Sequence, residues 1–181
     1  MSGAGWSAVE SRPVSLTFVV GAAADVFNGG LADAIDAELR KRFPAVAYRH
    51  GDTYQSEPVD ASGWRSLQQR VLRTVDYAPQ LTAVDAYQAV YVPTAPATVD
   101  HVPIGNLADP LQIGSLDALI VELRAFAAAA SLPTDDLELM TLAAHYLERD
   151  EDEDLDVQTY AQLMLSAKQA AVRNQPLWVV V

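Results

Sequence analysis

The chain contains no cysteine, and this excludes disulfide bonds, thiolate nucleophiles and zinc or iron–sulfur sites held by cysteine. It also lacks an apolar run approaching the ~20 residues that a membrane-spanning helix needs. The longest apolar run, residues 16–24, includes Thr17 and Gly21 and is typical of a buried strand followed by a turn. The first fifteen residues lack the basic and apolar regions of a secretion signal, so we expect a cytoplasmic protein that does not act at a membrane.

Basic residues are scarce: 12 Lys and Arg stand against 24 Asp and Glu, which gives a formal net charge of −12. From residue 1 to residue 75 eight acids balance eight bases, so the net charge belongs entirely to residues 76–181. The densest part is residues 148–156, called here the acidic run, which holds seven carboxylates and one base, Arg149. Such charge repels nucleic acid and anionic membranes and attracts a basic partner.

Hydrophobic spacing predicts alternating strands and helices in the first half of the chain. Residues 14–20 are a continuous β-branched and aromatic run, typical of a strand buried on both faces. Helical stripes follow over residues 31–43 and after Ser62, the expected N-cap of a second helix. The remaining segments are predicted to be a second strand (45–49), a polar loop (50–61) and a third strand (86–92).

The second half is predicted to be mostly helical. Helical spacing begins at Ser115, resumes after Thr134 as the expected N-cap of the next helix, and returns over residues 157–173. Residues 93–113 hold four of the ten prolines and are predicted to be a loop. Residues 177–181 (LWVVV) would promote aggregation at an exposed sheet edge, so we predict a strand inside the sheet, beside the first one.

These patterns predict an α/β or α+β fold with a helix-rich second half. The sheet is expected to have about four strands, with the C-terminal strand paired near the first. We expect a flexible N-terminal arm over residues 1–12 and a single globular domain over residues 13–181, because a chain of this length can bury one sizeable core.

The acidic run does not match a calcium-binding loop. An EF-hand starting at Asp150 would need glycine and glutamate where the chain has Leu155 and Ala161, and a start at Asp152 fails in the same way. His145 and Glu148 could share a helix face but make only half a metal site. We therefore predict no metal ion and no cofactor.

Two interpretations of the acidic run carry most weight: a solvated loop between helices, or a surface that binds a basic protein. A loose divalent-cation site is a third. Repulsion among seven carboxylates lowers stability, so a counter-charge elsewhere in the chain is expected. The candidate protein-binding residues are Glu148, Asp150, Glu151, Asp152, Glu153, Asp154 and Asp156.

Two other segments form an alternative, small-ligand site. The turn over residues 21–30 follows the first strand, where α/β folds bind phosphate, but it has neither the Walker nor the dinucleotide motif. In the proline-rich segment, His101 could act as a base oriented by Asp100, although no serine or cysteine nucleophile motif accompanies it. The candidate ligand-binding residues are Asp25, Asn28, Asp100, His101, Asn106 and Asp109.

The sequence thus favours a non-enzymatic protein that binds a basic protein through its acidic region. By analogy of size, charge and lack of catalytic motifs, an immunity-type or antitoxin-type inhibitor of a nucleic-acid-degrading toxin fits. The alternatives are a ligand-binding protein or hydrolase-like enzyme with a site around residues 93–113, and a subunit of a larger assembly. Arg65, Arg70 and Arg73 form a basic face. This face could pair with the acidic face of a second copy, which would give a homo-oligomer, or with the acidic face of the same chain.

Overall fold

The computed structural model describes residues 14–86, 89–105, 107–147 (without the side chains of 145–147) and 154–181. These residues form one mixed sheet of seven strands with six helices. The strands are β1 (Ser15–Val20), β2 (Tyr54–Gln55), β3 (Val59–Asp60), β4 (Ala89–Val92), β5 (Asp100–Val102), β6 (Leu111–Ser115) and β7 (Leu177–Val180). The helices are α1 (Gly29–Arg42), α2 (Ala61–Thr74), α3 (Pro79–Thr82), α4 (Leu116–Ala130), α5 (Asp136–Leu147) and α6 (Leu155–Arg173).

The C-terminal strand β7 lies inside the sheet. The strand order is β2-β1-β7-β4-β6-β5, and β3 also pairs with β1. Trp178 is opposite Val19 on one side and Val90 on the other, and both pairings are antiparallel. β1, β4 and β6 therefore run in the same direction, and their carboxyl ends meet at one edge of the sheet. The prediction of an interior C-terminal strand beside the first is confirmed.

The α/β fold class and the helix-rich second half are also confirmed, but the sheet is larger than the four strands predicted. Two of the added strands, β2 and β3, are only two residues long and pair with β1. Two more, β5 and β6, lie within the proline-rich segment that was predicted to be a loop. The predicted strand over residues 45–49 is wrong. This segment is instead held near the residues that precede β7, where the Ala47 N–H donates to the Asn174 carbonyl at 2.8 Å.

The sheet separates two hydrophobic cores. Phe18 faces the larger core, which it shares with side chains of α2, α4, α5 and α6, whereas the next residue, Val19, faces the smaller core under α1. Successive strand residues point to opposite faces, so both faces of β1 are buried, as its continuous apolar sequence predicts. None of the helices in the described part of the chain is long and apolar enough to cross a membrane.

Side chains just before the helices fix where the helices begin. The Ser115 hydroxyl accepts from the Ala118 N–H at 3.2 Å and starts α4. The caps predicted for two other helices are off by one or two residues. The Asp60 carboxylate, rather than Ser62, caps α2, and the Asp135 carboxylate, rather than Thr134, accepts the N–H groups at the start of α5.

Helices α2 and α6 approach each other closely at Gly63. A Cβ on this residue would collide with the Thr159 hydroxyl oxygen and would lie 2.8 Å from the Leu155 carbonyl oxygen. Only glycine fits at this position, because the second of these atoms belongs to the backbone and cannot rotate away. The first turn of α6, in which the acidic run ends, is therefore held against the start of α2.

Candidate protein-binding surface

Residues 125–167, called here the acidic segment, contain ten acids and one base. In the structure they span the end of α4, all of α5 and most of α6. α5 packs on α6 through the larger core, to which Leu139 and Tyr160 both belong. Among the described acids, Asp136, Glu138 and Asp156 thus lie on helices that the core holds in place.

Asp156, in the first turn of α6, is paired within the chain. Its Oδ2 lies 2.8 Å from Nη1 of Arg70 in α2, and both side chains are partly buried. The Arg70 guanidinium also lies over the Phe126 ring, 5.9 Å from its centre. Arg70 thus supplies a counter-charge for the acidic run, and Asp156 contributes to the packing of α2 on α6.

A second internal pair lies at the other end of α5. Nζ of Lys168, in α6, donates to the Asp136 carboxylate and to the Thr134 carbonyl. This lysine therefore ties α6 to the start of α5. When Arg70 and Lys168 are counted with the acidic segment, ten acids face three bases, and a local net charge of −7 is left (−10 + 3).

Two of the seven candidate protein-binding residues belong to the described part of the chain. Asp154 is exposed and precedes α6 as its N-cap residue, with a φ of 77°. Asp156 is the residue paired with Arg70. The other five, Glu148, Asp150, Glu151, Asp152 and Glu153, lie outside the described residues.

Asp25, a candidate ligand-binding residue, is a buried structural carboxylate whose side chain is 5% exposed. It accepts hydrogen bonds from the N–H groups of Ala22 and Gly51, each at 2.9 Å. Its Oδ1 also lies 2.8 Å from Nδ1 of His50, an exposed histidine on the loop before β2. A Cβ at residue 21 would come within 2.6 Å of this carboxylate, so Gly21 is needed for the turn.

The contact between Asp25 and His50 has no signal in the sequence, because the two residues lie 25 positions apart with no shared motif. Asn28, the other candidate in this turn, precedes α1 as its N-cap residue without a side-chain hydrogen bond to the helix. Within the turn over residues 21–30, Asp25 thus ties Ala22 to Gly51 of the loop before β2.

The remaining ligand candidates lie at the far edge of the sheet. Asp100 and His101 are exposed on β5, and three strands separate β5 from β1, so roughly 19 Å of sheet lies between them and the turn that holds Asp25. As adjacent strand residues they point to opposite faces, so Asp100 is poorly placed to orient His101. Asp109 is exposed in the turn before β6, and Asn106 lies outside the described residues.

A buried carboxylate that the sequence reading missed lies under α3. Glu122, in α4, accepts from the N–H groups of Gln80 and Leu81 at 3.1 and 3.0 Å. Burial raises the pKa of Glu122 above its ordinary value, although these two hydrogen bonds oppose the shift. The Tyr91 hydroxyl donates to the Gln80 carbonyl at 2.6 Å, so the network fastens α3 to the sheet and to α4.

Within the described ranges, no group of three or more His, Cys, Asp or Glu side chains is placed to hold a metal ion. Comparisons of the chain with protein-family models, with curated proteins and with solved structures found no match. The function is therefore inferred from the residues of this chain alone.

Proposed function

We propose that this protein is a non-enzymatic, cytoplasmic binding module that recognises a basic protein through its acidic segment. The observation that supports this most directly is the net charge of the acidic segment. Arg70 and Lys168 already engage Asp156 and Asp136, yet the region keeps a net charge of −7. A concentrated field of one sign accelerates association with an oppositely charged partner and discriminates against wrong partners.

The structure around the acidic run suits such a role, because the run joins two helices that are held by the core. The Arg70–Asp156 pair and the close approach at Gly63 fix the start of α6. Keeping the flanking helices rigid limits the ordering cost of binding. An inhibitor of a basic, nucleic-acid-degrading toxin, of the immunity or antitoxin type, is the partner relationship that we favour.

The small-ligand or hydrolase-like alternative has weaker support. Of its two groups of residues, the one around Asp25 follows β1 and the one around Asp100 lies on β5, and these strands are not neighbours. Self-association through the basic face of α2 is also less favoured, since Arg70 is used internally and Arg73 Nε donates to the Gln69 carbonyl. Membership of a larger assembly is compatible with the same acidic surface.

The experiment that tests the proposal compares two charge variants. The first neutralises the run with D150N, E151Q, D152N, E153Q and D154N. The control removes the same number of exposed charges elsewhere with D33N, E57Q, D76N, D100N and D109N. A partner captured at low salt is purified, and its association rate with each protein is measured across a salt series.

We expect the first variant to associate more slowly and with a flatter salt dependence, because exposed charges are screened over ~8–10 Å. The control should keep most of the wild-type rate and slope. A first variant that behaves like wild type would contradict the proposal. If the control alone lost binding, the result would favour the site near Asp100.

A further inference from the structure

An apolar groove runs along α5, inside the acidic segment. It encloses about 700 Å³, and we call it the α5 groove. It lies between this helix and the connection from α4. Its walls are formed by Leu132, Pro133, Leu137 and Leu142, with Glu138 and Thr141 at its polar side.

α5 has a second apolar face besides the one that packs into the core. Leu139 and Ala143 are buried against the core, whereas Leu137 is 73% exposed and Met140 is 60% exposed. Leu137 and Met140 are three residues apart, so they form one stripe along the helix. A single exposed leucine is common on protein surfaces, but an exposed stripe beside an apolar groove is typical of an interaction site.

The charge around the groove restricts what can occupy it. Residues 125–147 contain three acids, Asp135, Asp136 and Glu138, and no lysine or arginine. Lys168 of α6 pairs with Asp136, so Asp135 and Glu138 supply the net negative charge of this region. Glu138 lines the groove, and Asp135 is exposed at the start of the same helix. An anionic lipid surface or a nucleic acid would be repelled, and a second copy of the chain would bring its own acidic segment.

We infer that the α5 groove binds an amphipathic helix of the partner, with aliphatic side chains in the groove and lysine or arginine side chains against the acidic rim. This inference rests on the proposed function and specifies the part of the partner that is recognised. Helix-in-groove recognition uses apolar anchor residues that repeat every three or four positions. Such anchors can pack against the exposed stripe of α5, whose residues have the same spacing. Charge at the rim sets the orientation and the preference for a basic helix.

Synthetic fluorescent peptides of about 18 residues, long enough to be partly helical, test this inference. The first contains leucine and lysine with leucines at helical spacing. The second has the same composition in an order that leaves no apolar stripe. The third keeps the stripe but replaces every lysine with glutamate. We expect the wild-type protein to bind the first peptide and to discriminate against the other two.

Two protein variants locate the binding. L137Q/M140Q removes the exposed stripe and should weaken binding of the first peptide by roughly tenfold or more, because the buried aliphatic contact is lost. L72Q makes the same leucine-to-glutamine change at a 66% exposed position of α2, outside the groove, and should change binding by less than about twofold. Circular dichroism verifies that both variants fold.

Several outcomes would overturn the inference: no binding of the first peptide, equal binding of the first two peptides, or wild-type affinity in L137Q/M140Q. A wild-type dimer that is lost in L137Q/M140Q would assign the groove to a second copy and would equally overturn it. The proposed function is judged separately, by the partner's response to neutralisation of residues 150–154. If the partner still binds in a salt-dependent way but the groove does not bind the first peptide, only the present inference is refuted.

Discussion

Arg70 and Asp156 are joined by an ion pair of 2.8 Å although 86 positions separate them in the chain. The pair links the polar side of α2 to the first turn of α6, where the acidic run ends. One carboxylate of the run is thereby committed to the fold, at a site where negative charge also offsets the dipole of α6. The fold itself thus neutralises one end of the run.

We expect R70A and D156A each to destabilise the protein by about 1–3 kcal/mol, between the values typical of exposed and of buried pairs. The double variant should lose less stability than the sum of the losses in the two single variants. Urea unfolding of the four proteins in a double-mutant cycle measures the coupling. A coupling energy indistinguishable from zero would mean that the contact adds nothing to stability.

Gly63→Ala should destabilise the protein by about 1–3 kcal/mol, because the new methyl group meets the Leu155 carbonyl across the α2–α6 contact. Gly30→Ala is the matched control. It lies in α1 with nothing within 4 Å of the new Cβ, so it should be neutral or stabilise by up to about 1 kcal/mol. Thermal melts of both variants show whether the loss of stability is specific to the position where α2 and α6 approach each other closely.

A chain ending at Pro176 should be insoluble or unfolded. Removing β7 eliminates the burial of Leu177, Trp178 and Val179, each worth ~1.5–3 kcal/mol, and leaves β1 and β4 without the strand between them. Soluble yield and circular dichroism of the shortened chain are the measurements. Cooperative melting within a few degrees of the full chain would show that the two halves of the sheet do not depend on β7.

Stability should depend on pH through Glu122. Its folded-state pKa is raised by burial, so the ionised form costs the folded state free energy. The stabilising contribution of the protonated form is complete below the unfolded-state pKa and is lost as pH rises through the folded-state pKa. The stability of the wild type relative to E122Q should therefore fall as pH increases from about 4 toward neutrality.

Glu38→Gln serves as a control of opposite sign. A hydrogen bond from Arg42 is the main cause that lowers the pKa of Glu38. The contribution of ionised Glu38 to folding stability is therefore present at higher pH and is lost as pH falls. Urea unfolding across this pH range follows both variants. A constant difference between wild type and E122Q would mean that the Glu122 carboxyl does not titrate differently in the two states.

Calcium and magnesium should bind no more tightly than about millimolar, because the acidic run lacks the glycine and the glutamate of an EF-hand. Titration calorimetry is the direct measurement. Saturable micromolar binding that disappears in D152N would instead identify the run as a cation site.

Elements with a strong local signal could be predicted from the sequence. Residues 14–20 and 177–181 are apolar enough to require burial on both faces, and both were placed correctly as neighbours. β6 was missed because Gln112 and Gly114 interrupt its apolar pattern. Both are accommodated by the surroundings: Gln112 Oε1 accepts from the Asp85 N–H, and a side chain at residue 114 would collide with the Tyr91 ring.

The contacts around the candidate sites could not be predicted, because their partners are distant in sequence. No local pattern pairs Arg70 with Asp156 or His50 with Asp25. The exposed stripe of α5 was hidden for a different reason. Leu139 and Ala143 occupy the inward face, but the spacing of Leu137 and Met140 is equally compatible with burial, so the sequence pattern does not show which apolar face of α5 packs on the core.

The position of β7 also has a consequence for folding kinetics. The Trp178 indole N–H donates to the Gly21 carbonyl across 157 positions of sequence, and the pairing of β1 with β7 closes almost the whole chain into a loop. Forming so distant a contact requires a large loss of chain entropy before the sheet is stabilised, and such topologies fold slowly. Helices α2, α4 and α6 can form locally while β1 and β4 still lack the strand between them. Indole fluorescence at Trp178 should therefore lag behind the recovery of helical circular dichroism during refolding.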